Sequence, residues 1–183
     1  MGDDWEDVDL EILKKRAEAM ALPRAEGAAA VETVSLLQFT LMKAEYAIPL
    51  EEVEAVLRIG HIVSIPLTPK HIQGVIRRRG QTIALVNLRH YFHPEHEGLA
   101  DADFAVVVVA GGKRFALQVE EIEGIIRPPK SDLVPAPDNF DRAQAPYVVA
   151  VTTRGLAVLD LERLVGTSEF GMDSPRTAVR ARS

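Results

Sequence analysis

The chain carries two copies of one sequence pattern, set 69 residues apart. Residues 46–58 read YAIPLEEVEAVLR, and residues 115–127 read FALQVEEIEGIIR. Three glutamates and the final arginine recur, and apolar residues exchange only for apolar residues. A second echo lies further along each copy, with RG followed by LVNL in 79–88 and by VLDL in 154–161. A repeat of this length is too long for a solenoid unit, so it predicts two small, similar subdomains.

The composition is typical of a soluble globular protein and excludes several function classes. The 183 residues are 47% hydrophobic and 26% charged, and none is cysteine. The lack of cysteine excludes disulfides, thiolate catalysis and cysteine-ligated zinc. No apolar run is long enough to span a membrane, and the acidic start lacks the order of a secretory signal. We therefore expect a cytoplasmic protein without membrane insertion.

The net charge of −6 is concentrated at the beginning of the chain. Residues 1–32 hold nine acids and four bases, whereas residues 33–166 hold sixteen acids and fourteen bases. A nucleic-acid binder would normally show a clear basic excess, so nucleic acid is not an expected partner.

Three segments are predicted along the chain. Residues 1–32 should form an acidic helix, over Trp5–Leu22, and a linker, because Leu10, Leu13, Ala17 and Met20 recur at helical spacing. Residues 33–166 hold many short β-type runs, in two repeats at about 33–95 and 103–166. These runs predict an all-β fold of two five-stranded β-barrels with short helical turns, packed on each other. Residues 167–183 are expected to be a disordered tail.

Motifs for catalysis, cofactors and metals are weak. The chain has no nucleophile elbow, phosphate loop or dinucleotide glycine pattern. The repeated acidic pairs after each strand are more typical of solvated turns than of an acid–base couple. His90, His93 and His96, with Glu95 and Glu97, resemble a metal cluster, but Pro94 interrupts it and a polar linker is favoured. We therefore expect no enzyme activity, cofactor or metal site, and a binding module is the leading interpretation.

These same segments resemble the CheW-like family of bacterial chemotaxis coupling proteins. The resemblance runs from about Val34 to Gly166 and is most specific in the block IPLTPKHIQGVIRRRGQTIALVNLR. It also covers LLQFTLMKAEYAIPLEEVEAVL, FALQVEEIEGII and LAVLDLERLVG. The resemblance implies two β-barrels with a hydrophobic groove between them and no catalysis. It further implies a bridge from chemoreceptor cytoplasmic tips to the CheA-type histidine kinase, whose regulatory domain has the same fold.

The resemblance also suggests the residues that bind partners, which are Val53, Val56, Gly74 and Arg79. The two valines match the apolar positions of an early strand and would line the groove. Arg79 is predicted to make an ion pair that organises the binding surface, within this chain or with the kinase. Its neighbours Arg77 and Arg78, if exposed, should matter little.

Departures from the family pattern occur at four positions. Ala55 and Gly124 replace acidic residues, and Arg77-Arg78 replace Asn-Leu. An Arg–Glu contact available to other members is thus expected to be missing or rewired.

Two other functions compete with the adaptor interpretation. A divergent CheW-like regulator would compete for array assembly, with the acidic helix on a docking surface, or serve a non-flagellar chemosensory pathway. A barrel that binds nucleic acid or a small ligand would need exposed aromatic residues beside basic ones. With six Phe, three Tyr and one Trp, mostly at core-like positions, the chain offers little of this.

Overall fold

The computed structural model describes residues 7–8, 31–94, 102–137 and 140–167. The strands are β1 Asp7–Val8, β2 Leu36–Leu41, β3 Ala44–Pro49, β4 Val53–Arg58, β5 Ile72–Arg78, β6 Gln81–Asn87, β7 Phe104–Ala110, β8 Lys113–Val119, β9 Glu121–Ile126, β10 Leu133–Val134, β11 Val148–Thr152 and β12 Ala157–Leu159. The short helices are α1 Leu88–Phe92 and α2 Leu161–Gly166, with 3-10 turns at Leu50–Glu52, Lys130–Asp132 and Ala145–Tyr147. No helix among these is long and apolar enough to cross a membrane.

The strands form two sheets of the same design. One sheet has the order β1-β4-β7-β8-β6-β5, and we call it, with its loops, the middle unit, because residues 53–119 supply all but β1. The other has the order β10-β11-β12-β3-β2-β9, and we call it the terminal unit, built from residues 31–52 and 120–167. The prediction of a mostly β fold with two similar units is confirmed.

The sheets do not coincide with the two halves of the sequence. The hairpin β2–β3 comes from the first repeat but pairs with strands of the second, and the hairpin β7–β8 does the reverse. Each unit thus holds strands from both repeats. Counting the two-residue strands β1 and β10, each sheet has six strands rather than five. No ladder joins the two end strands of either sheet within the described ranges, so closed barrels are not seen.

The repeat extends to the register of the strands. Phe115 in β8 lies opposite Ala84 of the parallel strand β6, and Tyr46 in β3 lies opposite Ala157 of β12 in the same way. Both edge ladders also contain an irregularity at equivalent glutamates, Glu54 in β4 and Glu123 in β9. Tyr46 and Phe115 are 69 residues apart and Ala84 and Ala157 are 73 apart, yet the registers match, so the two units share their backbone plan.

The largest cluster of buried side chains lies between the two units, and we call it the central core. Phe39, Tyr46 and Ile48 reach it from the terminal unit, and Val106 and Phe115 from the middle unit. Each unit also has an interior of its own on the opposite face of its sheet. Strands that face two apolar layers read as continuous apolar runs, which explains FAVVVVA in β7.

The predicted N-terminal helix is not supported. Asp7 and Val8 form β1, which pairs antiparallel with β4 opposite Leu57 and Val56. Without β1, β4 would be an edge strand, and an added strand can pair its outer N–H and C=O groups. A short isolated helix is only marginally stable in water, so the strand can win this competition. The other residues of that predicted helix, and the tail from residue 168, lie outside the described residues.

Candidate functional site

A groove of about 690 Å³ lies where the beginning of β2, the turn after β3 and the beginning of β4 meet. Val53 and Glu54 line it from the middle unit, and the terminal unit supplies the other lining residues, Thr33, Val34, Ser35, Pro49, Leu50, Glu51 and Lys130. Its lining is mixed, with Val34, Leu50 and half-buried Val53 beside two carboxylates and one ammonium. The groove is therefore a junction between the units.

Backbone and charge contacts fix one wall of this groove. Lys130 Nζ lies 3.0 Å from Glu32 Oε2, and the Lys130 amide donates to the Glu32 carbonyl oxygen at 2.8 Å. Thr33 and Pro129 form an isolated β-bridge beside them. The exposed ion pair adds little energy by itself, but together these contacts hold residues 129–130 against the chain that leads into β2.

A charged network lies beside the groove at one end of the middle unit. Glu54 Oε2 accepts from Arg114 Nε at 2.7 Å, and Glu54 Oε1 accepts from Arg78 Nη1 at 3.3 Å. Arg114 Nη1 also donates to Gln81 Oε1 at 2.6 Å. The network ties β4, β5, β6 and β8 together. The Arg78 side chain is only 11% exposed, so it is held much more firmly than a surface arginine.

An Arg–Glu contact is present in this network, between Glu54 and both Arg78 and Arg114. The irregularity at Glu54 turns Ala55 into the interior of the middle unit, where it is buried, while the Glu54 carboxylate reaches the two arginines. Arg78 was expected to matter little only if exposed, and this condition is not met, because its side chain is largely buried at this end of the sheet. Arg79 is exposed, and it occupies the β5–β6 turn with a φ of 47°.

The four residues predicted to bind partners do not form one cluster. Val53 lines the groove, whereas Val56 is completely buried in the central core opposite Val106. A glycine is required at position 74 by the fold itself, since the φ of Gly74 is 146° and an added Cβ would lie 2.3 Å from the Val63 carbonyl oxygen. Only Val53 and Arg79 are accessible, and the strand registers place both towards the same end of the middle unit. Their role in partner binding stays a prediction.

Glu52 is a feature that the sequence interpretation missed. Burial, together with the nearby Asp160, Glu162 and Glu51 carboxylates, raises the pKa of its carboxyl to about 7. Its Oε2 atom is buried without a hydrogen-bond partner. The repeat concealed this difference, because the equivalent Glu121 is exposed.

Of the three histidines considered as metal ligands, His93 has polar contacts of its own. His93 Nε2 lies 3.3 Å from Gln144 Nε2 and 3.8 Å from Asp141 Oδ2, and His96 lies outside the described residues. Across the described ranges, no three His, Asp or Glu side chains are grouped as a metal site requires. What the site offers is a groove and a charged end surface, which suit protein binding.

The family model of the CheW-like domain matches residues 35–169, which include most of both units and all of the residues that line the groove except Thr33 and Val34. The chain belongs to the CheW-like family. It is 25% identical to the chemotaxis protein CheW of Treponema pallidum over 147 residues, covering 76% of this chain and 86% of that protein. It is 26% identical to protein FrzA of Myxococcus xanthus over 153 residues, covering 81% of this chain and 96% of that protein.

A solved CheW structure has the same fold. The scaffolding protein TtCheW from Thermoanaerobacter tengcongensis superposes with a TM-score of 0.65, at 21% identity, covering 75% of this chain and 96% of that one. At this identity the superposition shows that this CheW-like chain shares the fold.

Proposed function

We propose that this protein is a non-enzymatic, cytoplasmic adaptor that couples chemoreceptor tips to the regulatory domain of a CheA-type histidine kinase. Membership of the CheW-like family supports an adaptor in chemotaxis signalling. The observation that carries the proposal is the groove at the junction of the two units. Neither nucleic acid nor membrane insertion is part of the proposal.

The groove suits the tip of a helical receptor. Leu50, Val34 and Val53 give it an apolar part, and Glu51 and Lys130 lie beside them with opposite charges. Binding energy concentrates in a few desolvated apolar contacts, and charged residues around them fix the register of the partner. A helix with an apolar stripe and flanking charges would satisfy both parts.

The exposed β5–β6 turn is the proposed contact with the kinase. Arg79 projects from a turn whose neighbouring strand end is fixed by the Arg78–Glu54–Arg114 network. A strand end that is held in place orients the exposed guanidinium of the turn, and a guanidinium binds carboxylates with two parallel hydrogen bonds. In this proposal Arg78 supports the surface from within the chain, and Arg79 contacts the partner.

Titration calorimetry with a receptor-tip fragment tests the groove. Val53→Asp places a charge in the groove and should weaken binding by more than about tenfold. Ile122→Asp is the matched control, because Ile122 is the repeat equivalent of Val53, is also half-buried, and does not line the groove. Equal loss in both variants, or no loss in Val53→Asp, would contradict the proposed groove.

The same assay with the kinase regulatory domain tests Arg79. Arg79→Asn keeps a residue that tolerates positive φ, and it should reduce affinity by more than about tenfold. Arg77→Asn, at an exposed position one residue before Arg78, should have a small effect. Equal effects at both positions would indicate a diffuse basic surface and would remove the specific role of Arg79.

A second candidate function is a regulator that competes for array assembly or serves a non-flagellar chemosensory pathway. The pairing of β1 with β4 favours it, because Asp7 and Val8, which belong to an acidic stretch of the sequence, pair with the unit that carries Arg79. Added to an assembled receptor–kinase complex, an adaptor should support kinase activity, whereas a competing regulator should lower it in proportion to its concentration.

A further inference from the structure

The two units differ in how the outer edge of one pair of equivalent strands is covered. In the middle unit, β1 lies along the outer edge of β4, with Asp7 opposite Leu57 and Val8 opposite Val56. The equivalent strand of the terminal unit is β9, which stands at the end of its sheet. Within the described part of the chain, β9 pairs with β2 alone. An edge strand presents N–H and C=O groups that can pair with another chain, so β9 offers a place for one further strand.

β4 shows which main-chain groups face this edge. The Ile59 amide donates to the Asp103 carbonyl oxygen at 2.8 Å, where the chain after β4 still runs beside the chain that leads into β7. In an antiparallel ladder, alternate residues point their N–H and C=O groups to the same side. Ile59 and Leu57 therefore face the β7 side, and Val56 faces β1.

The terminal unit repeats this arrangement. The Val34 amide donates to the Pro128 carbonyl oxygen at 3.0 Å, which joins the two equivalent positions of this unit. By the same alternation, Ile126 faces β2 and the N–H and C=O groups of Ile125 point outwards. The outer edge of β9 thus presents the same main-chain groups that β1 meets on β4.

A cavity of about 340 Å³ lies beside the end of β9. Its walls are apolar at Ile126, Leu156 and two prolines, and Gln38 and Thr152 add polar groups. The Thr152 hydroxyl oxygen accepts from the Leu156 amide at 3.2 Å, so the hydroxyl can still donate to another acceptor. The other lining residues are two acids and two bases, which together favour a neutral occupant: Glu45, Asp132, Arg127 and Arg154.

There is also room under β9 itself. Gly124 stands where the middle unit has the buried Ala55, and a Cβ added to Gly124 would meet no atom within 4 Å. A side chain that reaches this face of β9 would therefore enter open space rather than a packed interior.

We propose that the outer edge of β9 binds an extended segment of a partner protein, which pairs antiparallel with β9 and places a tyrosine side chain in the cavity. Residues directly opposite each other in a ladder lie on the same face of the sheet, so the residue opposite Ile126 lies on the face that lines the cavity. A tyrosine is neutral and combines an apolar ring with one hydroxyl. β1 shows the kind of occupant, because it is an extended segment on the equivalent edge.

The cavity and the groove have no lining residue in common. The inference therefore goes beyond the proposed function and does not rest on it. A negative result at β9 would leave the proposed groove standing, and the Val53→Asp titration concerns the groove alone.

Nuclear magnetic resonance titration of the isotope-labelled full-length protein with the synthetic peptide acetyl-EYVTK-amide tests the proposal. In the proposed register, the peptide tyrosine lies opposite Ile126, the valine opposite Ile125, and the terminal charges near Arg127 and Glu123, which have the opposite signs. Amide shifts should change along β9 and around the cavity, and should stay unchanged along β4, whose edge β1 covers. No change along β9 at about 5 mM peptide, enough to fill most sites at a Kd of about 1 mM, would overturn the proposal.

Two N-methylated peptides separate strand addition from other kinds of binding. N-methylation of the peptide valine removes the N–H that faces β9 opposite Ile125 and puts a methyl group between the strands, so it should weaken binding by more than about tenfold. N-methylation of the tyrosine changes an N–H that points away from β9 and should have little effect. Equal effects of the two methylations would contradict strand addition.

The tyrosine is tested by replacement in the peptide and by one change in the protein. Alanine in its place should weaken binding by more than about tenfold, and phenylalanine by less. Gln38→Val gives the cavity the residue that the middle unit has at the equivalent position, Val107, and should reduce the preference for tyrosine over phenylalanine.

Two results would show that the cavity does not hold the tyrosine. One is an alanine peptide that binds as well as the tyrosine peptide, and the other is an unchanged preference for tyrosine in Gln38→Val. The peptide replacements need no change in the protein, so they decide the question even if Gln38→Val fails to fold.

Discussion

The middle and terminal units have the same backbone plan but differently filled interiors. Val107 and Ile76 are buried in the middle unit, and the equivalent positions in the terminal unit hold the polar Gln38 and Thr152. A cavity of about 340 Å³ opens beside these two side chains. The difference teaches that a repeat can fix strand order and register, while single substitutions decide whether the interior of a unit is filled by apolar side chains.

The charged ends of the units differ for a simple electrostatic reason. Arg114 pairs with Glu54 in the middle unit, and the equivalent residues in the terminal unit are Glu45 and Glu123. Two carboxylates repel, so this pair cannot form. Glu123 instead accepts a hydrogen bond from the Thr40 hydroxyl at 2.9 Å. The middle unit therefore has a cross-linked end and the terminal unit an open one.

The largest expected effects come from the two aromatic residues at equivalent positions. Phe115 and Tyr46 are both buried in the central core, so Phe115→Ala and Tyr46→Ala should each cost about 3–5 kcal/mol of unfolding free energy. Tyr46→Phe distinguishes the two aromatic positions, because it leaves the buried Gln144 amide oxygen without its hydrogen-bond donor. This change should cost about 1–3 kcal/mol of unfolding free energy.

Urea unfolding measures these differences. A Tyr46→Phe variant as stable as the wild type would mean that the amide of Gln144 finds another partner, and the distinction between the two aromatic positions would then concern packing alone.

Gly74 is the next test, because the terminal unit has Ala150 at the equivalent position in β11. Gly74→Ala puts a Cβ 2.3 Å from the Val63 carbonyl oxygen and must shift the backbone, which should cost about 3 kcal/mol or more. Gly124→Ala meets no atom within 4 Å and has only the strain of its φ of 133°, so about 1–2 kcal/mol is expected. Equal melting temperatures for the two variants would refute the steric explanation.

These differences also show what the sequence could predict. The 69-residue repeat and the short β-type runs predict two similar β units, and the turn between β7 and β8 lies at the Gly111-Gly112 dipeptide, where both glycines have positive φ. The pairing of each of these hairpins, β2–β3 and β7–β8, with strands of the other repeat could not be predicted. A local sequence pattern does not specify which neighbouring strand a strand pairs with. Likewise, the predicted helix failed at β1, where the unpaired edge of β4 outweighs helical periodicity.

The candidate site was less predictable than the fold. Val53 is half-buried and lines the groove, but Val56 is buried, since the irregularity at Glu54 changes which side chains of β4 face outwards. The ion pair of Arg78 with Glu54 was not predicted, and its position depends on where the ladder with Gln81 ends. One-residue differences of this kind depend on the register in which strands pair, and the secondary-structure propensities of the residues do not specify that register.

A smaller effect should depend on pH and separate Glu52 from its equivalent Glu121. The pKa of Glu52 is about 7 in the folded state, against an ordinary 4.5, so the folded state binds the proton more tightly. The resulting destabilisation is absent below about pH 4.5, grows as the pH rises towards 7 and is complete above 7. Glu52→Gln should therefore stabilise the protein at pH 8 by about 1 kcal/mol, after allowance for a partly exposed carboxyl.

Denaturation at pH 4 and pH 8 tests this sign. Glu52→Gln should leave stability at pH 4 unchanged, and Glu121→Gln, at the exposed equivalent position, is the matched control variant. A gain for Glu52→Gln that is the same at both pH values would exclude a titration effect.

The smallest expected effect lies in the two equivalent hairpin turns. Gly111-Gly112 and Met42-Lys43 all have positive φ, at no steric cost for the glycines but at a cost for the other two. Glu120 offsets part of that cost, because its carboxylate accepts from the Met42 amide at 3.0 Å. Lys43→Gly should stabilise the protein by only about 0.5 kcal/mol, since glycine relieves strain but gains entropy in the unfolded chain.

Glu120→Gln is the complementary change, because it weakens the acceptor without altering the turn residues, and it should be mildly destabilising. In the Lys43→Gly background the same change should matter less if the carboxylate serves to hold a strained turn. Additive effects in this double-mutant cycle would show that Glu120 and the turn act independently, and the two hairpins would then differ in glycine content alone.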